Sequence, residues 1–397
     1  MASTAEKAGI GAAATAAPVP PFTDEHEQFR AAVRRFVAAE LAPHVDEWEQ
    51  ARSFPDSVFT RMAELGYLGL KFDSAYGGDG DPVADAVLVE ELGRCGSGGL
   101  AAGIGAHAGI ALPPIATFGD EAQKQRYLVP GIRGERIAAL AITEPDAGSD
   151  VAAIRTRAVP APDGWIVNGA KTFITGGVRA RTLVTAVRTT TEGGHHGISF
   201  LIIESGPDAE GIEARPLSKL GWHASDTALI SFNDVFVPAE NLLGPLDGGF
   251  ALIMANFQWE RLMLALGALG AMQWCLERTL AYVRERRAFG RPIGNFQVIR
   301  HRVAEIALRI ESCRCLAYAA LRRYVAGADA VREVTIAKLE SQRAAVEVAD
   351  ACLQLHGGNG YMTEYGIERA LRDARLGPIG GGTDEIMKEI LGRSLGL

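Results

Sequence analysis

Two changes in hydrophobic periodicity limit what this chain can fold into more than any other feature of its sequence. From about Thr23 to Arg136 the apolar residues recur at helical spacing, and Thr23 is a typical N-cap residue. This spacing predicts helices over 24–49, 55–65, 82–94, 99–118 and 120–130. From Ile137 to about Leu246, short β-branched runs alternate with turn residues. They predict strands over 137–142, 164–168, 182–187, 197–203, 212–216 and 228–234.

Helical spacing then returns after Gly248 and continues to the end of the chain. Long helices with short connections are predicted to about Arg287, from Asn295 to Ala326, over 329–356 and after Thr383. The sequence therefore predicts an α+β protein with a helical N-terminal domain, a central antiparallel, barrel-like β domain and a C-terminal four-helix bundle. We expect these domains at residues 22–136, 137–246 and 247–397, after a disordered tail at 1–21.

Composition argues against several classes of protein. A net charge of −8 leaves no basic excess for nucleic acid. The five Cys form no CxxC pair and four lie in predicted helices, which is typical of reduced thiols in a cytoplasmic protein. No apolar run approaches the roughly 20 residues of a membrane span, and residues 1–20 lack the pattern of a secretory signal. His195 and His196 have no further ligand at suitable spacing, so we predict no metal site.

Glu260 is the residue that most directly indicates chemistry. On a helix it shares one face with five apolar or small residues: Met263, Leu264, Gly267, Ala271 and Trp274. Burial on such a face raises the pKa of a carboxyl toward the range in which it accepts a proton at neutral pH. The alternative is a Glu-Arg pair at the edge of an amphipathic helix, with Arg261 keeping the charge in water. This segment alone does not separate the two.

Four further segments have the residue types of a cofactor site, although each also has an ordinary structural explanation. The loop 143–150 offers backbone N–H groups and hydroxyls, and 173–177 places an aromatic ring and a hydroxyl at a strand end. Arginines at 286, 287 and 291 suit phosphate oxygens, but arginines more often cap helices. The glycines at 357 and 358 allow close approach of a ligand or simply end a helix.

Taken in order, these segments resemble the acyl-CoA dehydrogenase family. The resemblance extends from Phe22 onward and is carried by five motifs: Ile142 to Asp150, Lys171 to Gly176, Arg284 to Gly290, His356 to Tyr361 and Gly382 to Ile386. It implies the same three-domain fold, FAD bound between the domains, and a homotetramer in which a neighbouring subunit completes each FAD site. The implied reaction is α,β-dehydrogenation of an acyl-CoA, with an electron-transfer flavoprotein as the acceptor.

The resemblance also implies roles for individual residues. The flavin end of FAD would be contacted by six residues of the β domain: Ile142, Thr143, Ser149, Phe173, Ile174 and Thr175. Its pyrophosphate and adenosine would be held across the subunit interface by seven more: Arg286, Phe289, Gln297, Gln354, Leu355, Gly357 and Gly358. The start of the last helix would add Thr383 and Glu385. The acyl thioester would lie against five: Ser149, Gln258, Arg261 (on the CoA side), Gly380 and Gly382.

One position departs from the commonest pattern of the family. Many members carry the catalytic base just before the Gly-Thr of the last motif, where this chain has Gly381. Gly381 cannot accept a proton, although its backbone N–H can polarise the thioester carbonyl. In the isovaleryl-CoA and long-chain branches the base lies instead in a Glu-Arg pair on the long helix, which Glu260 and Arg261 match. The missing loop acid and the Glu on an apolar face explain each other, so Glu260 is the predicted base.

The sequence does not determine the identity of the acyl group or of its carrier. Gly380 and Gly381 leave room for a branched or bulky group, whereas Glu385 to Glu389 resembles the long-chain branch. A medium or long chain, an acyl-carrier-protein thioester and desaturation at a more remote carbon are all compatible with the sequence. A flavin oxidase or monooxygenase on the same fold and a non-catalytic scaffold are the alternatives. Glu260 argues against the oxidase, and a flavin spectrum would exclude the scaffold.

Overall fold

The first predicted helix begins where expected but is interrupted. In the computed structural model, which describes residues 21–190 and 194–397, Thr23 caps α1 (Asp24–Phe36) by accepting a hydrogen bond from the His26 N–H (3.4 Å). A π-helical turn (Val37–Leu41) and a 3-10 turn (Ala42–His44) precede α2 (Val45–Ala51). Pro43 lacks the N–H that a continuous helix would need, which explains the break before Glu49. Residues 1–20 of the predicted tail lie outside the described residues.

The other N-terminal helices agree with the predicted ranges. They are α3 (Ser57–Glu64), α4 (Pro82–Leu92), α5 (Gly98–Gly105), α6 (Leu112–Phe118), α7 (Glu121–Gln123) and α8 (Val129–Ile132). With the π-helical turn between them, α5 and α6 form one stretch, Gly98–Phe118, whose length and apolar composition match those of a membrane-crossing helix. The expectation of no such run is therefore wrong here. Because 67% of its most apolar window is buried inside the protein, the stretch is a core helix.

The β domain is a mixed sheet rather than a purely antiparallel one. Its strands are β1 (Ala138–Ala141), β2 (Arg157–Ala161), β3 (Gly164–Thr175), β4 (Thr182–Arg188), β5 (Ile198–Glu204), β6 (Ile212–Pro216), β7 (Thr227–Pro238) and β8 (Leu242–Leu243). The hydrogen-bonded order is β6-β7-β3-β2-β4-β5-β8, with β1 beside β4. Both β1 and the unpredicted β2 run parallel to β4, because the intervening chain is long enough to cross over. Within the described residues β6 and β8 do not pair, so the sheet is open.

Strands β4 and β5 are buried on both faces. On β4, Leu183 and Val187 face the core of the β domain, whereas Val184 and Ala186 pack with residues of the N-terminal helices. Two-sided burial explains why both strands appear in the sequence as continuous apolar runs. The second face attaches the sheet to the helices, and so fixes the ends of β1 and β3 relative to the helical domain.

Residues 249–394 form the predicted helical bundle. Its helices are α9 (Gly249–Glu285), α10 (Gln297–Val325), α11 (Val331–His356), the unpredicted α12 (Ile367–Ala374) and α13 (Asp384–Ser394). A short hairpin, β9 (Arg287–Ala288) and β10 (Arg291–Pro292), joins α9 to α10. Helix α11 packs on α9, α10 and α13, while α4 of the N-terminal domain packs on α9. At that crossing a Cβ on Gly270 would overlap the carbonyl oxygen of Glu90, so only glycine permits this approach.

Candidate active site

Glu260 lies half-buried on the first half of α9. Burial raises its pKa to about 7, and the charges on Arg261 and Lys338 offset part of that effect. A carboxyl with this pKa is substantially ionised at neutral pH and still basic enough to take a proton. The five residues predicted to share its face are all buried or half-buried. The interpretation of Glu260 and Arg261 as an exposed helix edge is therefore wrong.

Gly381 faces Glu260 from the loop between α12 and α13. A Cβ at this position would lie 3.7 Å from Oε1 of Glu260 and would overlap Cδ1 of Leu264, one helical turn further along α9. Gly381 and Gly382 both have left-handed backbone conformations, with φ of +62° and +96°. Around Gly380, the nearest atoms to a Cβ belong to Leu376 at 3.7 and 3.8 Å, so space is open there. The structure thus brings the two predicted catalytic residues together.

Arg261 is buried beside the glycine loop. Its side chain is only 8% exposed, and its Nε donates a hydrogen bond to the carbonyl oxygen of Gly381 (3.2 Å). Its guanidinium also lies over the ring of Phe257, 5.1 Å from the centroid. Arg261 therefore supports the glycine loop, and its contact with the CoA side of the substrate stays a prediction. Its neighbour Gln258, predicted to contact the substrate, is half-buried on the same helix.

Lys338 completes this cluster and was missed in the sequence. It lies on α11 with none of its surface exposed, and its Nζ donates a hydrogen bond to the carbonyl oxygen of Gly382 (2.6 Å). Burial lowers its pKa to about 8, against the opposing influence of Asp384. A signal was present: apart from Gln342, the positions that share the face of Lys338 at helical spacing hold apolar or small residues, a pattern similar to the one that singled out Glu260.

A buried ion pair anchors the loop that follows β1. Lys171 on β3 donates from Nζ to Oε1 of Glu144 (2.8 Å) and to the carbonyl oxygen of Ile142 (2.9 Å). The Glu144 carboxylate also accepts the backbone N–H groups of Arg155 (2.6 Å) and Thr156 (2.8 Å). Burial acts to raise the pKa of Glu144, but Lys171 and these donors lower it below its ordinary value. These contacts anchor the loop after β1 to strand β3.

The predicted flavin-contacting residues of this loop differ in accessibility. Thr143 is half-buried and Ser149 is exposed. The side chain of Ile142 instead packs into the core shared by the β domain and the N-terminal helices. A ligand on the surface of the loop could therefore contact the backbone of Ile142 but not its side chain.

The end of β3 has an unusual backbone. Phe173 has a φ of +61° and lies where the register of β3 against β7 shifts, and its ring is 70% exposed. A bulky residue in the left-handed region is strained, and such strain is often found at ligand sites. Thr175 is half-buried, whereas the side chain of Ile174 points into the β core. The prediction that Ile174 forms part of a ring-binding wall is thus wrong for its side chain.

The hairpin between α9 and α10 presents an exposed aromatic tip. Phe289 is 93% exposed, has a φ of +50°, and lies edge-on to Phe296 with ring centroids 6.1 Å apart. The guanidinium of Arg291 lies 4.1 Å from the centroid of Phe296. Arg286 and Gln297 are also exposed. An exposed, positively charged aromatic hairpin of this kind is suited to a phosphate-bearing ligand or a partner surface.

The turn after α11 is also open. Gly357 and Gly358 are exposed, and a Cβ on either would have no atom within 4 Å. Gln354 is exposed and Leu355 is half-buried at the end of the helix. Beneath the turn, His356 is buried and its Nδ1 is 2.8 Å from the carbonyl oxygen of Cys352. A ligand can therefore approach the backbone of this turn closely.

The hairpin and the turn lie at the opposite end of α9 from Glu260. The turn is fixed to α9 by Tyr282, whose ring stacks on His356 at 4.3 Å. Tyr282 is 22 residues beyond Glu260, which corresponds to about 33 Å at a rise of 1.5 Å per residue. The structure therefore does not gather all the predicted cofactor residues into one patch of a single chain.

The start of α13 returns to the vicinity of Gly381. Thr383 caps this helix by accepting a hydrogen bond from the N–H of Ile386 (3.3 Å), and Glu385 is exposed in the first turn. The buried Asp384 pairs with Arg343 on α11 (2.7 Å). These contacts hold the glycine loop against the bundle.

Comparison with known proteins agrees with this fold. Models of the N-terminal, middle and C-terminal domains of acyl-CoA dehydrogenases match residues 23–135, 139–235 and 247–396. The chain is 38% identical to the mitochondrial isovaleryl-CoA dehydrogenase of Arabidopsis thaliana over 94% of this chain and 92% of that protein. It is 37% identical to the mouse mitochondrial long-chain specific enzyme over 94% and 87%. The acyl-CoA dehydrogenase structure from Geobacillus kaustophilus superposes with a TM-score of 0.91, at 41% identity, over 96% of this chain and all of that one.

Fold and matches together define a flavin-dependent oxidoreductase that acts on acyl thioesters. The chain belongs to the acyl-CoA dehydrogenase family, and its cofactor is FAD. The residues present fit such a cofactor. The strained, exposed Phe173 and the half-buried Thr175 offer a surface for a planar ring, and the uncovered glycines at 357 and 358 allow close backbone contact.

Proposed function

We propose that this acyl-CoA dehydrogenase forms the α,β double bond of its substrate with Glu260 as the base that removes the α-proton. The observation that carries the proposal is the half-buried Glu260 carboxylate facing Gly381, the position that lacks an acid of its own. With a pKa raised by burial to about 7, Glu260 is matched to proton abstraction at neutral pH. Bound FAD supplies the acceptor for the hydride that leaves the β-carbon.

The loop opposite Glu260 supplies the second requirement. An α-proton becomes acidic enough to remove only if the negative charge developing on the thioester oxygen is stabilised. Gly381 has no side chain to occupy this space, and its carbonyl is held by Arg261. We assign its backbone N–H to the thioester carbonyl, with Gly380, Gly382 and Gln258 lining the acyl group.

The flavin ring is proposed to lie against the end of β3 and the loop after β1. Phe173 and Thr175 would contact the ring by their side chains, and Ile174 by its backbone. Thr143 and Ser149 would meet the flavin and the thioester from the loop that Lys171 and Glu144 anchor, with the backbone of Ile142 beside them. Thr383 and Glu385 would approach from the start of α13.

The other end of FAD is proposed to be bound by a neighbouring copy of the chain. The residues predicted for it lie near the part of α9 that is about 33 Å from Glu260, and all but the half-buried Leu355 are exposed. They comprise Arg286, Phe289, Gln297, Gln354, Leu355, Gly357 and Gly358. This arrangement requires an oligomer, and a homotetramer is the state we expect. Phe289→Asp should then lower both FAD content and assembly, as measured by absorbance and light scattering.

The substrate is proposed to be a branched, bulky or medium- to long-chain acyl-CoA. The space around Gly380 and the absence of a side chain at Gly381 support this, since neither restricts the acyl group from the loop side. We expect electrons to pass to an electron-transfer flavoprotein. Anaerobic bleaching of the flavin across straight, branched and unsaturated CoA and carrier-protein thioesters would identify the substrate, and stoichiometric peroxide in air would indicate an oxidase instead.

The base assignment is tested by Glu260→Gln. The variant should bind FAD normally and reduce it about 10²- to 10⁴-fold more slowly under anaerobic single turnover, because general-base catalysis contributes on that order. Glu277→Gln is the matched control: it lies on the same helix, at the surface, paired with Arg94. Near-normal α,β-desaturation by Glu260→Gln would rule Glu260 out as the base.

A further inference from the structure

Lys338 carries a positive charge that the packing of the bundle does not explain. Burying an ammonium group is costly unless it is paired and hydrogen-bonded. Within the described residues Lys338 has no carboxylate within 4 Å, and the acceptor for its Nζ is the carbonyl oxygen of Gly382 (2.6 Å). A neutral apolar side chain would fill this position at a lower free-energy cost. The charge of Lys338 is therefore attributed to its contact with the glycine loop.

The contact falls on a segment beside the site whose residues restrict its backbone very little. Three consecutive glycines, 380 to 382, have many more accessible conformations than other residues. On one side of Gly381, the N–H of Gly380 donates to the carbonyl of Leu376 (2.8 Å). On the other side, Arg261 binds the carbonyl of Gly381 and Lys338 binds the carbonyl of Gly382. The two cations therefore fix both peptide planes that follow Gly381.

The same face of α11 also contacts α9. One helical turn after Lys338, the buried Gln342 donates from Nε2 to the carbonyl oxygen of Leu264 (2.6 Å). Leu264 is the residue that a side chain at Gly381 would overlap. Helix α11 thus holds the helix that bears Glu260 and the loop that faces it in one fixed relation.

We propose that Lys338 is a positioning residue, which orients the Gly381–Gly382 loop toward the thioester carbonyl and keeps a positive charge near the carboxylate of Glu260. This inference rests on the proposed role of Glu260. The Gly381 N–H belongs to the peptide plane between Gly380 and Gly381. That plane lies between the Gly380 N–H, which is bound to Leu376, and the two peptide planes that the cations hold. Anchoring on both sides restricts the direction of the Gly381 N–H, which a segment of three glycines would not maintain unaided.

The charge of Lys338 has a separate consequence for pH dependence. The charged groups around Glu260 are Arg261 on its own helix and Lys338 on α11, while Asp384 of α13 acts on Lys338 and is itself paired with Arg343. Both cations favour the ionised form of Glu260. Removal of Lys338 makes Glu260 harder to ionise, so the rise of activity with pH moves to higher pH.

The experiment compares Lys338→Met, Lys338→Gln and Lys338→Arg in the holoenzyme. Thr335→Val is the matched control, since Thr335 is buried one turn earlier on α11 and its hydroxyl donates only to Val331 of its own helix (2.6 Å). Lys338→Met should keep FAD, reduce it about 10- to 100-fold more slowly and shift the pH profile to the alkaline side. Lys338→Arg should recover part of the rate and most of the profile. If Lys338→Met does not bind FAD, the rate of flavin reduction and its pH profile in Lys338→Gln test the proposal instead.

A second readout separates this inference from the base assignment. In the Glu260→Gln background, the infrared carbonyl stretch of a bound 13C-labelled acyl-CoA thioester reports hydrogen bonding to that oxygen without turnover. Adding Lys338→Met should weaken the shift, whether or not Glu260 is the base. An unchanged stretch, an unchanged rate and profile in folded Lys338→Met, or an equal loss in Thr335→Val would overturn the positioning role.

Discussion

Two glutamates in this protein, Glu144 and Glu260, have pKa values shifted in opposite directions. Glu144 lies under the loop after β1 and Glu260 lies opposite the glycine loop, and neither is freely solvated. The Glu144 carboxylate is paired with Lys171 and accepts two backbone N–H groups, so its pKa is lowered. Glu260 has nearby cations, but these are directed at the carbonyls of Gly381 and Gly382, and burial raises its pKa to about 7. The partners of a carboxylate, rather than burial alone, separate a structural acid from a candidate base.

The largest expected effect is a loss of stability on replacing Glu144, the acid that is paired with Lys171. Glu144→Gln leaves the buried Lys171 ammonium without its counter-charge, and breaking such a pair costs about 3–5 kcal/mol. Chemical unfolding at fixed protein and FAD concentration should show this loss, whereas Glu260→Gln should show none of comparable size. Adding Lys171→Met to Glu144→Gln should restore most of the stability. A stable single variant would mean that the ion pair does not hold the loop.

The pH dependence of flavin reduction should report the pKa of Glu260. In the proposed mechanism the ionised form of Glu260 is the base, and its pKa is about 7. The single-turnover rate of flavin reduction should therefore rise about tenfold per pH unit below that value and level off above it. Anaerobic stopped-flow measurements between pH 5 and 8 would follow this change. A flat profile over this range would contradict the environment assigned to Glu260.

A smaller effect is expected from the glycine opposite Glu260. Gly381→Ala forces a side chain into the left-handed region and against Leu264, so we expect kcat/KM to fall about tenfold. The double variant with Leu264→Ala should recover part of this loss by removing the overlap. Gly392→Ala, whose Cβ would have no atom within 4 Å, is the control. Full activity in Gly381→Ala would show that the loop does not need a bare backbone here.

The smallest effect is on stability as a function of pH, and the two acids should differ in sign. For Glu260 the folded-state pKa is raised, so the native protein carries a penalty that grows as pH rises from about 4.5 to about 7. For Glu144 the pKa is lowered, so its contribution is present above its ordinary value and is lost as pH falls. The melting temperature of Glu260→Gln relative to the unchanged protein should therefore increase between pH 5 and pH 8. A difference that does not vary with pH would argue that Glu260 titrates normally.

Local patterns predicted a large part of this molecule. The helical spacing before 136 and after 248, and the Thr23 cap, are properties of neighbouring residues, so they can be read from short windows of sequence. The apolar face on which Glu260 lies can be predicted in the same way, because its residues belong to the same helix. The break at Pro43 could have been anticipated, since proline removes a helical N–H.

Contacts between distant segments were decided only in the tertiary structure. The parallel pairing of β1 with β4, the inward side chains of Ile142 and Ile174, and the burial of Arg261 all depend on which element packs where. Lys338 and Gly382 meet although 44 residues separate them. Periodicity states which face of an element is apolar, but it does not state which element covers that face. For this reason the sequence alone could single out Glu260 as the candidate base, whereas the charges and carbonyls arranged around it became apparent only from the fold.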